Sequence, residues 1–443
     1  MKQIRIFIGV VEVAGYYGNL AFALRERGYS VTVVGAASHV FEYKSNSNEN
    51  PFIIRLYDKL LKASALKQLT NKRAISHQIK KKIFAFLTRL LKLVLFLWVT
   101  PSHDVFIFGF GSSFLPGNLD LPILKFINKK IICNIAHGSE ARPPYINGAY
   151  VNNLSNPIKK DELSLIKKLS KTTKRRCSTI EKYADIVIGA PLTSHFLEKP
   201  FINIFHLGLI FRELSADNTE NDNQALNVRI LHCPSNPTVK GTSLIRHVIK
   251  SLKNKGHKID FIELINKPNS TVIEELNICD FVVDQAYSDF PLPGFATEAA
   301  WFAKPSVVGG YGWHALQQLI PDKVFPPSHI CHPNDLETAV ETLIIDKEYR
   351  INLGKQAQNF VKSNWSIQTC TDRYLQLIDG YIPEDWWSTP CQIPYLHGCG
   401  ISESTLLEVF PQLLQAGEDI LQIKDKPSLT KMFIKLCIPE PNK

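Results

Sequence analysis

An α/β protein of two Rossmann-like halves facing a cleft, followed by a helical tail, is the fold class this sequence predicts, and three observations carry it. Its 443 residues exceed one ordinary hydrophobic core, at roughly one domain per 150 residues. Two blocks of the chain alternate continuous apolar runs, suited to buried parallel strands, with helix-like segments. Between them lies Glu213 to Ala225, ELSADNTENDNQA, almost free of apolar residues and the best linker in the chain. The expected division is 1–212, 226–380 and a tail of 381–443.

In the first block, Ile4 to Val10, Val31 to Gly35, Asp104 to Gly109, Lys130 to Ile135 and Asp185 to Gly189 read as strands. Helices are expected at Asn19 to Arg27, stopped by Gly28, within Leu56 to Val99, at Asn118 to Ile127 and at Asp161 to Tyr183. The second block opens on strand Val228 to Cys233. A helix follows with Leu244, Ile245, Val248, Ile249 and Leu252 on one face, ended by Gly256. Strand Ile259 to Leu264, a helix opened by the capping-box pair Thr271 and Glu274, and strand Phe281 to Asp284 come next. Gly294 to Ala303 forms a short helix, halted by Lys304 and Pro305 before strand Ser306 to Gly309. The tail breaks this rhythm with EDWWSTP, a Cys- and Gly-containing loop and a helix at Ser402 to Ala416.

Hydrophobic residues at 45% and charged residues at 21% describe a soluble globular chain rather than a disordered or fibrous one. The formal charge of +10 suits nucleic acid, an anionic membrane surface or phosphorylated ligands alike. Nucleic acid is disfavoured, because the basic residues are not interleaved with aromatic stacking residues. Nine cysteines, odd in number and without a paired short-spacing motif, predict a reducing compartment and cytoplasmic residence.

The amino terminus, MKQIRIFIGVVEVAGYYG, reads as a buried strand running into a glycine turn, because its apolar run is short and holds Glu12. The most membrane-like stretch, Ile83 to Val99, carries Arg89 and Lys92 and is shorter than the ~20 apolar residues of a spanning helix. With the basic region Lys59 to Lys82 before it, two readings stand: peripheral contact with an anionic inner membrane surface, or a solvated helix followed by a buried one.

Ligands of doubly wound domains bind at the carboxyl ends of the strands, so chemistry is sought there. Lys240 follows strand Val228 to Cys233, beside Gly241, which lets backbone come close to a ligand. Gly294, Phe295 and Ala296 present free amides at the start of their helix, a device that neutralises phosphate charge. Glu298, one turn in, can accept hydrogen bonds from the two hydroxyls of a ribose, or merely favour the helix dipole. His137, after strand Lys130 to Ile135, serves either a site or a backbone hydrogen bond in a turn. Gly15 and Gly18 follow the first strand, where close approach to a phosphate or acceptor and a tight turn explain them equally.

Two glycines in place of the three-glycine fingerprint, with no later ribose acid, disfavour an oxidoreductase. Cys391, His397 and Cys399 lack a fourth ligand and a zinc spacing, so no metal is expected.

The phrases PSNPTVKGT, GFATEAAWFAKPSVVGG, EVAGYYGNLAFALRERG and SSFLPGNLDLPILK are similar to bacterial glycosyltransferases of the group 1 (family 4) type over most of residues 1–380. The resemblance implies the GT-B fold and transfer from a nucleoside-diphosphate sugar with retention, without metal or other cofactor. It places the family's phosphate-binding lysine on Lys240, its ribose-binding glutamate on Glu298, the intervening glycine on Gly294 and a first-domain histidine on His137. A glycan or lipid-linked acceptor of surface polysaccharide biosynthesis is the expected partner. Two departures are visible. Phe290 stands where the family has another glutamate, with Asp289 beside it, and Asn236 and Pro237 stand where a basic residue is common. They leave open a scaffold or regulatory protein of weak activity.

Overall fold

The computed structural model describes residues 4–35, 52–57, 59, 75–211, 227–393 and 395–437. The linker expected at Glu213 to Ala225 and much of the basic region Lys59 to Lys82 lie outside the described residues.

Two separate parallel sheets form, as the apolar runs predict. The first takes β1 (Arg5–Gly9), β2 (Ser30–Val33), β3 (Val105–Gly109), β4 (Lys130–Asn134), β5 (Ile186–Gly189) and β6 (Phe201–Asn203), in the order β6-β5-β4-β3-β1-β2. The second takes β7 (Val228–His232), β8 (Ile259–Glu263), β9 (Phe281–Gln285), β10 (Ser306–Gly309) and β11 (His329–Cys331), in the order β11-β10-β9-β7-β8. In each, the strand order reverses beside the first strand of the block, which opens a crevice between β1 and β3 and another between β7 and β9.

Period-two alternation divides the second sheet between two cores. Leu231, Val282 and Val308 face the large core shared with the first domain. Ile230, Phe281, Val283 and Val307 face a smaller core that the helix Thr242–Asn254 covers with Ile245, Val248, Ile249 and Leu252. Each such aliphatic side chain, fully buried, contributes about 1.5–3 kcal/mol.

Two segments tie the second half back onto the first domain. The helix Ile367–Asp379 sets Tyr374 Oη 3.1 Å from Tyr16 Oη. It also pairs Asp372 with Arg27 at 2.8 Å. In the tail, β12 (Trp387–Ser388) pairs antiparallel with β6 and extends the first sheet.

Several local expectations are corrected. Thr271 and Glu274 open no helix, because the helix begins at Asn269 behind Pro268, whose carbonyl accepts from Thr271 N at 3.1 Å. The helix expected at Asn118 to Ile127 is broken into a turn at Pro116–Asn118 and a helix at Leu121–Phe126. The break follows from Asp120, whose carboxylate accepts from Ser113 Oγ at 2.6 Å and Leu115 N at 2.9 Å and holds the preceding loop. The tail helix Glu403–Gln415 begins as expected, with the Ser402 hydroxyl accepting from Thr405 N. Among the described residues no helix is long and apolar enough to cross a membrane.

Candidate active site

The loop after β7 owes its shape to residues whose role the sequence leaves ambiguous. Asn236 and Pro237 form a helix start: the Asn236 side chain accepts from Thr238 N at 3.1 Å and Val239 N at 3.2 Å, and Pro237 supplies the fixed φ of the first turn. The short helix Pro237–Lys240 ends at Gly241, left-handed at φ 71°. A Cβ at Gly241 would lie 2.7 Å from Ala286 Cβ and 2.9 Å from the Tyr287 ring, so only glycine lets this loop close on the end of β9. Ala286 N completes the closure by donating to Lys240 O at 2.9 Å.

Lys240 Nζ donates to Asp284 Oδ1 at 3.0 Å across the β7/β9 crevice. Asp284 is fully buried, and its Oδ2 has no hydrogen-bond partner among the described residues. Glu298, in the helix Gly294–Trp301, is buried and accepts from Asn269 Nδ2 at 3.0 Å. Burial pushes the Cys233 thiol up to about 12, reinforced by the negative charges of Glu298 and Asp284 and opposed by Lys240. Lys240 and Asp284 thus meet at the carboxyl ends of β7 and β9, and Glu298 lies near enough to act on the charge of the same Cys233 thiol. At the start of the same helix, a Cβ on Gly294 would meet, among the described residues, only Phe211 Cζ at 3.9 Å. Phe295 is half-buried and Ala296 buried.

In the first domain, Gly15 is left-handed at φ 80° and starts the helix Tyr16–Glu26. The amides of that turn are answered within the chain: Glu12 accepts from Val13 N at 2.8 Å, Tyr17 N at 3.0 Å and Gly18 N at 2.8 Å. This differs from a phosphate-cradling turn, since a carboxylate already occupies the anion position and Gly15 serves the turn itself. His137 lies beyond β4, with Nε2 2.7 Å from Tyr17 Oη and its backbone N donating to Glu140 Oε1 at 3.1 Å. Among the described residues no contact joins His137 to the Lys240 corner.

Burial raises Glu12 from 4.5 to about 7 in spite of its three amide donors, and raises Glu140 to about 7 as well. A carboxyl whose folded value lies above its unfolded one holds its proton more tightly when folded. Stability therefore falls as pH rises from about 4.5 to about 7, and stays lower above. Unfolding titrations at pH 5 and pH 8 should show a loss that shrinks in Glu12→Gln by on the order of 2–3 kcal/mol. An equal pH dependence in both proteins would place Glu12 in water.

Phe290 and its neighbour Asp289 both make contacts with the first domain. Phe290 stacks on Phe205 of the first domain, with ring centroids 5.0 Å and planes 24° apart. Asp289 forms a buried ion pair with Arg142, beside Tyr395 and Cys399 of the tail. Its Oδ2 is thus engaged at the domain junction, while its buried Oδ1 has no hydrogen-bond partner among the described residues.

The tail, without a functional assignment from sequence, runs between the two domains. Gly148 N donates to Cys399 O at 2.9 Å and Asn152 Nδ2 to Gly400 O at 2.8 Å on one side. Gly400 N donates to Tyr287 O at 3.1 Å on the other. Gly398 and Gly400 both have positive φ. A Cβ at Gly400 would lie 2.9 Å from Val239, next to Lys240. His397 stacks on Tyr311 at 4.5 Å. Cys399 gives its carbonyl to this strap and Cys391 is exposed; among the described residues no group of three or more His, Cys, Asp or Glu could hold a metal ion.

No protein-family model matches the chain, and no curated protein matches it. Among solved structures, the chain is similar to HepE from Anabaena in complex with UDP, at 12% identity over 85% of this chain and 100% of that chain, with a TM-score of 0.43. It is similar to a TarM mutant from S. aureus in complex with fondaparinux, alpha-GlcNAc-glycerol and UDP, at 12% identity over 86% and 100%, with a TM-score of 0.45. The catalytic domain of starch synthase IV from Arabidopsis thaliana, bound to ADP and acarbose, matches at 11% identity over 85% and 99%, with a TM-score of 0.49.

Proposed function

We propose that this protein is a GT-B glycosyltransferase that moves a sugar from a nucleoside-diphosphate sugar to a glycan or lipid-linked acceptor, with retention, in surface polysaccharide biosynthesis. The observation that carries the reading is the Lys240–Asp284 ion pair across the β7/β9 crevice, where doubly wound sheets take their ligands, with the buried Glu298 held by Asn269 on the neighbouring helix.

An ammonium carries three donors, and Asp284 takes one from Lys240, which leaves two for a diphosphate. With the amides of Gly294, Phe295 and Ala296 they offset the charge that grows on the departing nucleoside diphosphate. Gly241 keeps Lys240 on the crevice wall. Glu298, oriented by Asn269, accepts from the ribose hydroxyls. His137 meets the sugar or its acceptor from the first domain, and the leaving phosphate takes the acceptor's proton. Charge neutralisation falls to side chains and amides, so the reading calls for no metal. Exposed Phe86, Leu90, Leu97 and Trp98 along the helix Ile75–Val99 support peripheral contact with a cytoplasmic membrane surface, where a lipid-linked acceptor is presented.

A second reading, a scaffold or regulatory protein that binds a nucleotide-sugar but turns it over weakly, draws on the contacts that join the domains across the cleft. These are the Arg142–Asp289 pair, the Phe205–Phe290 stack and the tail strap. A panel of nucleotide-sugars assayed with and without membrane extract separates the two. Transfer or hydrolysis of one donor is the expected result, and binding without either favours the scaffold.

A further inference from the structure

The first domain holds a constellation that the proposed transfer does not account for, centred on Tyr17 at the β1/β3 crevice. Its ring is buried, 1% exposed, against the end of β3. That strand ends in Gly109, where a Cβ would lie 2.3–2.5 Å from the Tyr17 ring and hydroxyl, so the space is available only because residue 109 has no side chain. The turn from which Tyr17 rises is pinned by Glu12 through the amides of Tyr17 and Gly18. Position and direction of the phenol are thereby over-determined.

The phenol meets His137. Tyr17 Oη stands 2.7 Å from Nε2, and the rings of Tyr16 and Tyr17 abut the imidazole edge-on at 5.3 and 5.6 Å. Tyr16 is itself held by Tyr374. Burial pushes His137 down to about 4, so the imidazole is neutral near pH 7 and carries one proton. A phenol O–H is a far stronger donor than a neutral imidazole N–H, so in this pair the phenol donates and Nε2 accepts. The imidazole proton then resides on Nδ1, which has no hydrogen-bond partner among the described residues. The same loop carries Arg142 across to Asp289 of the second domain, which puts it on the cleft side of the first domain.

We infer that Tyr17 is a positioning residue: its hydroxyl holds His137 as the Nδ1–H tautomer, so that the ring's single N–H is offered as a hydrogen-bond donor to the sugar of the bound nucleotide-sugar. This rests on the placement of His137 against the donor in the proposed function. Glu12, Gly109 and Tyr16 serve the same end by fixing where the phenol and the imidazole sit. A residue retained only for packing would keep its ring and have no use for its hydroxyl.

The full chain, labelled with 15N-histidine, tests this through long-range 15N–1H spectra of wild type and Tyr17→Phe, with the His137 signals assigned by their loss in His137→Gln. Wild type is expected to show protonated Nδ1 and unprotonated Nε2, and Tyr17→Phe a shift of population toward the Nε2–H form. Tyr17→Phe, which keeps the buried ring, should retain the wild-type thermal midpoint and lose about tenfold in kcat/KM for the nucleotide-sugar, the worth of one hydrogen bond. An Nε2–H tautomer in wild type, or spectra unchanged by the substitution, overturns the inference. A tautomer shift without any change in donor handling overturns the positioning role. If wild type binds no nucleotide-sugar, the functional reading fails and takes this role with it, a failure told apart because the tautomer shift is still seen.

Discussion

Replacing Asp289 with alanine should lower the unfolding free energy by about 3–5 kcal/mol, the cost of leaving a buried guanidinium without its partner. Arg142 and Asp289 are 4% and 2% exposed, so water cannot replace the lost carboxylate. The pair joins the first domain to the loop after β9, and the tail lies over it through Tyr395 and Cys399. The loss should therefore appear at the junction before it appears in either sheet. Urea unfolding gives the magnitude. Hydrogen exchange at Gly148 and Gly400, whose amides hold the strap, gives the location. The double replacement Arg142→Met with Asp289→Leu should recover most of the stability, since two apolar groups of similar volume carry no desolvation penalty. A loss below about 1 kcal/mol, the range of an exposed pair, would mean that the domains stand apart in solution.

Lys240→Ala should weaken nucleoside-diphosphate binding by about 10–100-fold, the worth of one or two hydrogen bonds from a charged donor. It should leave the binding of a nucleoside without phosphates nearly unchanged, and that contrast isolates the phosphate contribution. The substitution also strips Asp284 of its cation in a fully buried site, so part of the effect could come from local collapse. Lys240→Ala combined with Asp284→Ala removes both charges and controls for it. If the double variant regains diphosphate affinity, Lys240 serves Asp284 and not a ligand. Titration calorimetry with matched nucleoside and nucleoside diphosphate supplies the numbers.

Much of this architecture is legible in the amino-acid sequence, because strands buried on both faces read as continuous apolar runs and their helices carry one apolar face. The strands Phe201–Asn203 and His329–Cys331 escape because three residues are too few to show a period. Thr271 and Glu274 mislead because Pro268 starts the helix earlier. For the proposed site, Lys240 and Gly241 draw attention by following a strand and Glu298 by lying one turn into its helix, and the family resemblance is what turns these places into roles. Asp284 is overlooked, although a carboxylate closing the apolar run FVVD is the signal that could have found it. Asn236 and Pro237 look like a missing basic residue until the helix start that they build is seen. Contacts between distant segments leave no local trace. Arg142 gives no sign of Asp289, Tyr17 none of His137, and the glycines of the tail announce a tight path without naming the surfaces that enforce it.

In the proposed function, the β7/β9 crevice holds a nucleoside diphosphate through Lys240 and its ribose through Glu298. A thermal-shift titration of the full chain with uridine, guanosine and adenosine diphosphates tests it most directly, because a ligand that binds only the folded state raises its midpoint with the logarithm of its concentration over Kd. One of the three should raise the midpoint of wild type at sub-millimolar concentration, and the rise should be lost in Lys240→Ala and reduced in Glu298→Gln. No shift with any of them, or a shift that survives both substitutions, would contradict the account.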